Sequence, residues 1–148
     1  MSKQVDFYLI SNAVNDAKYK LASRLANKLL KLEQKTLIVT QDSVSTNRLD
    51  ELLWSFNGTS FVAHDKASAH DKASIIHITD NHELNSLELE SDYNVIINLC
   101  NTIPVFKQDF PRTAEIIEAQ DSEKKLGRAR YKQYREQGFE LKTHNMEL

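Results

Sequence analysis

Leu37-Ile38-Val39 runs between Thr36 and Thr40 without a polar position to interrupt it. A strand points successive side chains to opposite faces, so a continuous apolar run marks a central strand covered on both sides. Other segments follow in alternation around it. Asp6-Phe7-Tyr8-Leu9-Ile10 is rich in β formers and reads as an N-terminal strand ended by Ser11-Asn12. Between residues 13 and 34 the period turns helical, with Leu21, Leu25, Leu29 and Leu32 on one stripe beside Ala22 and Ala26. A second helix is expected over about Thr46 to Phe56, with Leu49, Leu52, Leu53 and Phe56 inward and Asn57-Gly58 at its end. Phe61-Val62-Ala63, Ser74–Thr79 and Asn94–Leu99 are further strand candidates, and Pro104 and Pro111 bracket a short segment holding Phe106 and Phe110. Thr113–Glu118 fits strand or helix and is read as strand. A last helix runs from about Glu123 to Gln137, closed by Gly138, and Phe139–His144 offers a terminal strand. This alternation predicts an α/β fold: a three-layer α/β/α sandwich around a mostly parallel, mixed sheet. At 148 residues, and with no composition break that reads as a linker, it is expected to be a single domain over 1–148.

Composition narrows the function. The three glycines, Gly58, Gly127 and Gly138, stand far apart. A dinucleotide fingerprint or a P-loop needs clustered glycines so that backbone N–H groups can approach phosphate, and neither can be built here. Cys100 is the one cysteine, too few for a multi-cysteine zinc site or an internal disulfide, so a reducing, cytoplasmic setting is expected. GxSxG and HExxH are absent. No apolar run approaches the roughly 20 residues of a membrane span, and Met1–Asp6 carries no signal-peptide pattern. No cofactor is expected.

The hexapeptide Ala63-His64-Asp65-Lys66-Ala67-Ser68 is repeated at once as Ala69–Ser74. A duplicated surface loop explains it; a metal site from the two His-Asp pairs would lack a fixed element to set its geometry, so no metal is expected. Cys100 ends an apolar strand without a base partner and reads as an inert buried thiol. The Asp and Glu residues sit at no diagnostic spacing, so general acid–base catalysis finds no support.

The formal net charge of −2 conceals a polarity. From Lys124 to Arg135 the chain carries six of its 19 Lys and Arg and no acid, which leaves 13 basic against 21 acidic residues elsewhere. On a helical wheel Lys124, Arg128, Tyr131, Lys132 and Arg135 fall within a sector about 100° wide, while Leu126, Ala129 and Gln133 face the other way, toward the expected body. Three readings fit such a stripe: a solvated face, a nucleic-acid contact, or a site for an acidic peptide. Trp54, beside Leu53, is either core or an exposed anchor.

Several blocks taken together resemble the chi-subunit family of bacterial DNA polymerase III. They are Asp6-Phe7-Tyr8-Leu9, Leu49-Asp50-Glu51-Leu52-Leu53-Trp54-Ser55-Phe56, Ser60-Phe61-Val62-Ala63-His64, Val95–Leu99, and Gly127–Arg135 with Gly138-Phe139-Glu140-Leu141. They span nearly the whole chain in the family's order. The duplicated hexapeptide departs from the family, as does Ala63, where proline commonly precedes the histidine. The resemblance implies a non-catalytic replication adaptor, without its own active site, located at the nucleoid-associated replisome. It implies that Lys124, Arg128 and Tyr131, with Lys132 nearby and Ile117 as an apolar wall, bind the acidic C-terminal tail of single-stranded DNA-binding protein (SSB). Trp54 and Phe61 would face the small partner psi, which leads to the clamp loader, or a helicase-like repair protein. The alternative is a protein that binds nucleic acid directly through residues 124–135. With acidic residues in excess elsewhere, such contact is expected to be weak and salt-sensitive.

Overall fold

The computed structural model describes residues 3–55, 65–66, 75–84, 92–106 and 110–148. The elements follow in the order β1 (Gln4–Ile10), α1 (Ala17–Lys31), β2 (Thr36–Thr40), α2 (Ser43–Ser55), β3 (Asp65–Lys66), β4 (Ile76–Asp80), α3 (Asn81–Leu84), β5 (Val95–Asn98), β6 (Arg112–Ile117), α4 (Asp121–Glu136) and β7 (Glu140–Met146). The strands lie side by side as β3-β4-β2-β5-β6-β1-β7. Every described pairing is parallel, so the mixed part of the expected sheet is not seen among these residues. Parallel strands need crossovers, and the helices supply them: α1 leads from β1 past β6 and β5 to β2, and α4 leads from β6 over β1 to β7.

Strand alternation sorts the core into two layers. On one face Ile10, Ile38, Ile97 and Ile116 meet Leu21, Ala22 and Ala26 of α1 and Leu49 and Leu53 of α2. On the other, Leu37, Val39 and Ile96 pack with Leu84, Tyr93 and Phe110, while Val5, Phe7 and Ile117 pack with Tyr134 of α4. β2 is therefore buried at all five positions, as its unbroken apolar run requires. Full burial of a side chain such as Ile38 or Ile97 contributes about 1.5–3 kcal/mol. The α1 stripe is shorter than its leucine period suggests: Leu25 and Leu29 are half-buried and Leu32 is exposed at the helix end. α2 begins slightly earlier than expected, at Ser43, and Phe56 and Asn57-Gly58, where its end was expected, lie outside the described residues. The strand expected at Phe61–Ala63, and the histidines of the repeated hexapeptide, lie outside the described residues. No helix among the described residues is long and apolar enough to cross a membrane.

Candidate functional site

α4 is the element on which a site is built. Gln120 enters it in an extended conformation, and Asp121 and Glu123 in the first turn complement the positive end of the helix dipole. Gly138, at φ 85°, ends it: Gly138 N donates to Arg135 O and Phe139 N donates to Tyr134 O, the paired bonds of a Schellman cap. The chain then turns directly into β7.

Three side positions of α4 are fully buried: Gly127, Arg130 and Tyr134. This overturns the wheel assignment, which turned Leu126, Ala129 and Gln133 toward the body; all three are exposed. The reason is that the helix meets the sheet through a glycine and a buried charge rather than through an apolar stripe. At Gly127 an added Cβ would lie 2.5 Å from Ile117 Cδ1, so glycine is what lets α4 approach β6. One turn on, Arg130 Nε donates to Glu115 Oε1 at 2.8 Å, and Arg130 Nη1 donates to Asn101 O at 2.9 Å. Tyr134 Oη and Asn98 Nδ2 each donate to Glu115 Oε2 at 2.7 Å. Burial pushes the Glu115 carboxyl up from its ordinary value, against the pull of the Arg130 charge and of the three donors. Burial beside Glu115 likewise raises the Tyr134 hydroxyl. Arg130 thus belongs to the interior, and the exposed basic face consists of Lys124, Lys125, Arg128, Lys132 and Arg135.

Between α4 and the C-terminal halves of β1 and β6 lies a cavity of about 290 Å³. Phe7, Leu9, Ile10, Ile117 and Gly127 form its apolar part, with Tyr131, whose ring packs at 5.1 Å on Phe7. Lys124 and Arg128 stand over it, and Thr143 of β7 closes one side. Among the described residues neither cation has an acidic partner. The one carboxylate in the lining, Glu118, accepts a long bond from Lys18 N at 3.4 Å. The cavity lies just below the range of about 300–1,000 Å³ that drug-sized ligands occupy, a size suited to one or two side chains. An apolar floor under two unneutralised cations favours an apolar group joined to an anion.

The structure therefore gathers Lys124, Arg128, Tyr131 and Ile117 around one cavity. Lys132 does not line it; its Nζ stands 3.9 Å from Glu136 Oε1, on the outer side of the helix. Trp54 falls in the last turn of α2 with its side chain outside the described part, and Phe61 lies outside the described residues. Phe7, Leu9, Ile10 and Thr143 were not picked out from sequence, because strands distant in the chain bring them. Gly127 did carry a signal: a glycine inside a helix costs about 1 kcal/mol against alanine, a cost that a close approach explains. Cys100 is buried, and burial pushes its thiol up to about 12, which leaves it inert at neutral pH.

A family model described as the DNA polymerase III chi subunit, HolC, matches residues 1–142. Three relatives carry the name DNA polymerase III subunit chi. The Pseudomonas aeruginosa protein is 30% identical over 144 residues, covering 97% of this chain and 96% of its own. The Haemophilus influenzae protein is 29% identical over 147 residues, covering 99% of each chain. The Escherichia coli K12 protein is 30% identical over 146 residues, covering 95% of this chain and 97% of its own.

Proposed function

Because the chain belongs to the family of the DNA polymerase III chi subunit, and with it to DNA replication, we propose that it is a non-catalytic adaptor that captures the acidic C-terminal tail of SSB in the α4 cavity. The observation that carries this reading is the cavity itself: an apolar floor of Phe7, Ile117 and Tyr131 beneath Lys124 and Arg128. A peptide that ends in aspartates and an apolar tip offers both kinds of group. The terminal phenylalanine packs on the floor beside Tyr131, Arg128 takes the terminal carboxylate through its planar fork, and Lys124 meets the aspartates. Lys132, outside the cavity, contributes only at longer range.

The same proposal makes residues 1–148 one domain that works at the cytoplasmic replisome and needs no cofactor. It assigns Trp54 and Phe61 to psi and through it the clamp loader, or to a helicase-like repair protein. The burial of Arg130 weakens the alternative of direct nucleic-acid binding, since one of the six charges counted for it is spent on Glu115. A titration with tail peptide and with single-stranded oligonucleotide at moderate salt tests the choice. The adaptor reading expects the peptide to bind more tightly and to outlast added salt. Oligonucleotide binding that exceeds the peptide's would favour the alternative.

A further inference from the structure

β7 closes one side of the sheet. Its inner edge pairs with β1, and among the described residues nothing pairs with its outer edge. In a parallel ladder the N–H and C=O of one residue leave the strand on the same side, and successive residues alternate. The ends of β7 set the phase. Glu140 N donates to Lys3 O at 2.9 Å, and Met146 O accepts from Ser11 N at 2.8 Å. Glu140, Lys142, His144 and Met146 therefore turn their backbone groups toward β1, and Leu141, Thr143 and Asn145 turn theirs outward. Neither proline nor a positive φ interrupts the strand.

This open edge is continuous with the cavity, because Thr143, one of the outward-turned residues, lines both. It is also flanked by positive charge. Arg128 meets Thr143 across the cavity, and Arg135, seven residues on, projects about 20° from it on the helix, on the flank away from Glu115. α4 turns back into β7 through Gln137–Phe139, so the last turn of the helix, which carries Arg135, adjoins the Leu141 end of the strand. From the opposite face of the sheet Lys142 projects, since Leu141 packs on the α4 side and side chains alternate. On β7 and its flanks in the chain the acids are Glu140, at the first position, and Glu147, beyond the end. Asp6, opposite Lys142 on β1, is occupied by Arg112 and His144, and Glu118 stands in the cavity lining.

We propose that the outer edge of β7 takes the acidic stretch of the tail as an eighth strand, with the apolar tip anchored in the α4 cavity. The inference rests on the tail-binding reading above and adds its mode: main-chain bonds to Leu141 and Thr143 supply affinity, and the cavity supplies specificity. A second copy of this chain is the poorer occupant, because edge-to-edge pairing would bring Arg128, Arg135 and Lys142 of both copies together. An acidic segment instead sets its alternate carboxylates against Arg135 above and Lys142 below.

The test is an N-methyl scan of the tail peptide, one backbone nitrogen at a time, titrated by fluorescence anisotropy into the full chain and into Arg128→Ala. In an added strand only every second amide points at β7. Methylation should therefore weaken binding about tenfold at alternate positions upstream of the tip and change it less than about twofold between them, the signature of lost directed hydrogen bonds. An unmodified peptide that binds in an Arg128-dependent way but gives a flat scan overturns strand addition and leaves the cavity reading intact. An unmodified peptide that fails to bind, or binds regardless of Arg128, overturns both. A chain that sediments as a dimer, undissociated by the peptide, gives the edge to a second copy and also overturns the proposal.

Discussion

Arg130→Met is the perturbation whose cost follows most directly from the packing. Glu115 is 0% exposed, and Arg130 supplies its one positive charge and the donor to Oε1. The methionine fills most of the same volume but leaves the carboxylate buried with only Tyr134 and Asn98 on its other oxygen. Breaking one side of a buried pair costs about 3–5 kcal/mol. The folded variant can escape the bare charge by holding Glu115 protonated, at about 1.4 kcal/mol for each pH unit above the ordinary glutamate value of about 4.3. The sign follows from the direction of the shift. The folded-state pKa is raised, so the stability tied to the proton is present below the unfolded value and is lost as pH rises toward the folded one. Burial raises this carboxyl in wild type as well, so both proteins gain stability as pH falls. The variant, without the Arg130 charge, is raised further and gains more, and the gap should narrow between pH 7 and pH 5 by at most about 1.4 kcal/mol per pH unit. Glu115→Gln with Arg130→Met removes the titrating group and should leave a smaller gap that hardly varies with pH. Urea unfolding at both pH values measures this. A cost for Arg130→Met below about 1 kcal/mol at pH 7, or one unchanged at pH 5, refutes the reasoning.

Gly127→Ala places a Cβ 2.5 Å from Ile117 Cδ1 and 3.1 Å and 3.2 Å from its Cγ1 and Cγ2, so the whole side chain must move. Overpacking of about 1–3 kcal/mol against about 1 kcal/mol of helix propensity leaves a net loss of up to about 2 kcal/mol, read by thermal melting. Tail affinity should fall as well, because Ile117 is displaced at the cavity wall; unchanged affinity would count against this geometry. Lys132→Ala should cost under about 1 kcal/mol of tail binding, like other exposed pairs, and the loss should disappear as salt is raised. Trp54→Ala with Phe61→Ala should leave circular dichroism and melting intact while weakening co-purification of psi or the helicase-like partner, with about 2 kcal/mol or more expected from each aromatic anchor. A collapsed melting transition would instead assign these residues to the core.

Much of the fold was legible because both-face burial leaves so plain a mark. Leu37-Ile38-Val39 and Val95-Ile96-Ile97 have no alternation to misread, and β2 runs over the five residues expected of it. The order of strands was not legible, since nothing local to β1 says that it pairs with β6 and β7 rather than with β2. β3 and α3, at two and four residues, are too short to show a period. The candidate site was half legible. Lys124, Arg128 and Tyr131 fall together on any wheel of α4, but the wheel sorts by polarity and so turned the helix the wrong way at Arg130. That arginine is buried because Glu115, on a neighbouring strand, neutralises it, and such a pairing leaves no trace in a single helical period. Phe7 and Thr143 reach the cavity only through the register of β1 with β7.

The central claim is that the α4 cavity holds the tip of an acidic peptide, and Arg128→Ala tests it most directly. A labelled tail peptide titrated into wild type and Arg128→Ala at low and physiological salt should show a loss on the order of 2 kcal/mol, within the range of a charge-assisted hydrogen bond. That loss should persist when salt shortens the screening length to about 8 Å, because it comes from a directed contact beside an apolar floor. Equal losses for Arg128→Ala and Lys132→Ala that vanish together as salt rises would mean a diffuse basic face and would contradict the claim.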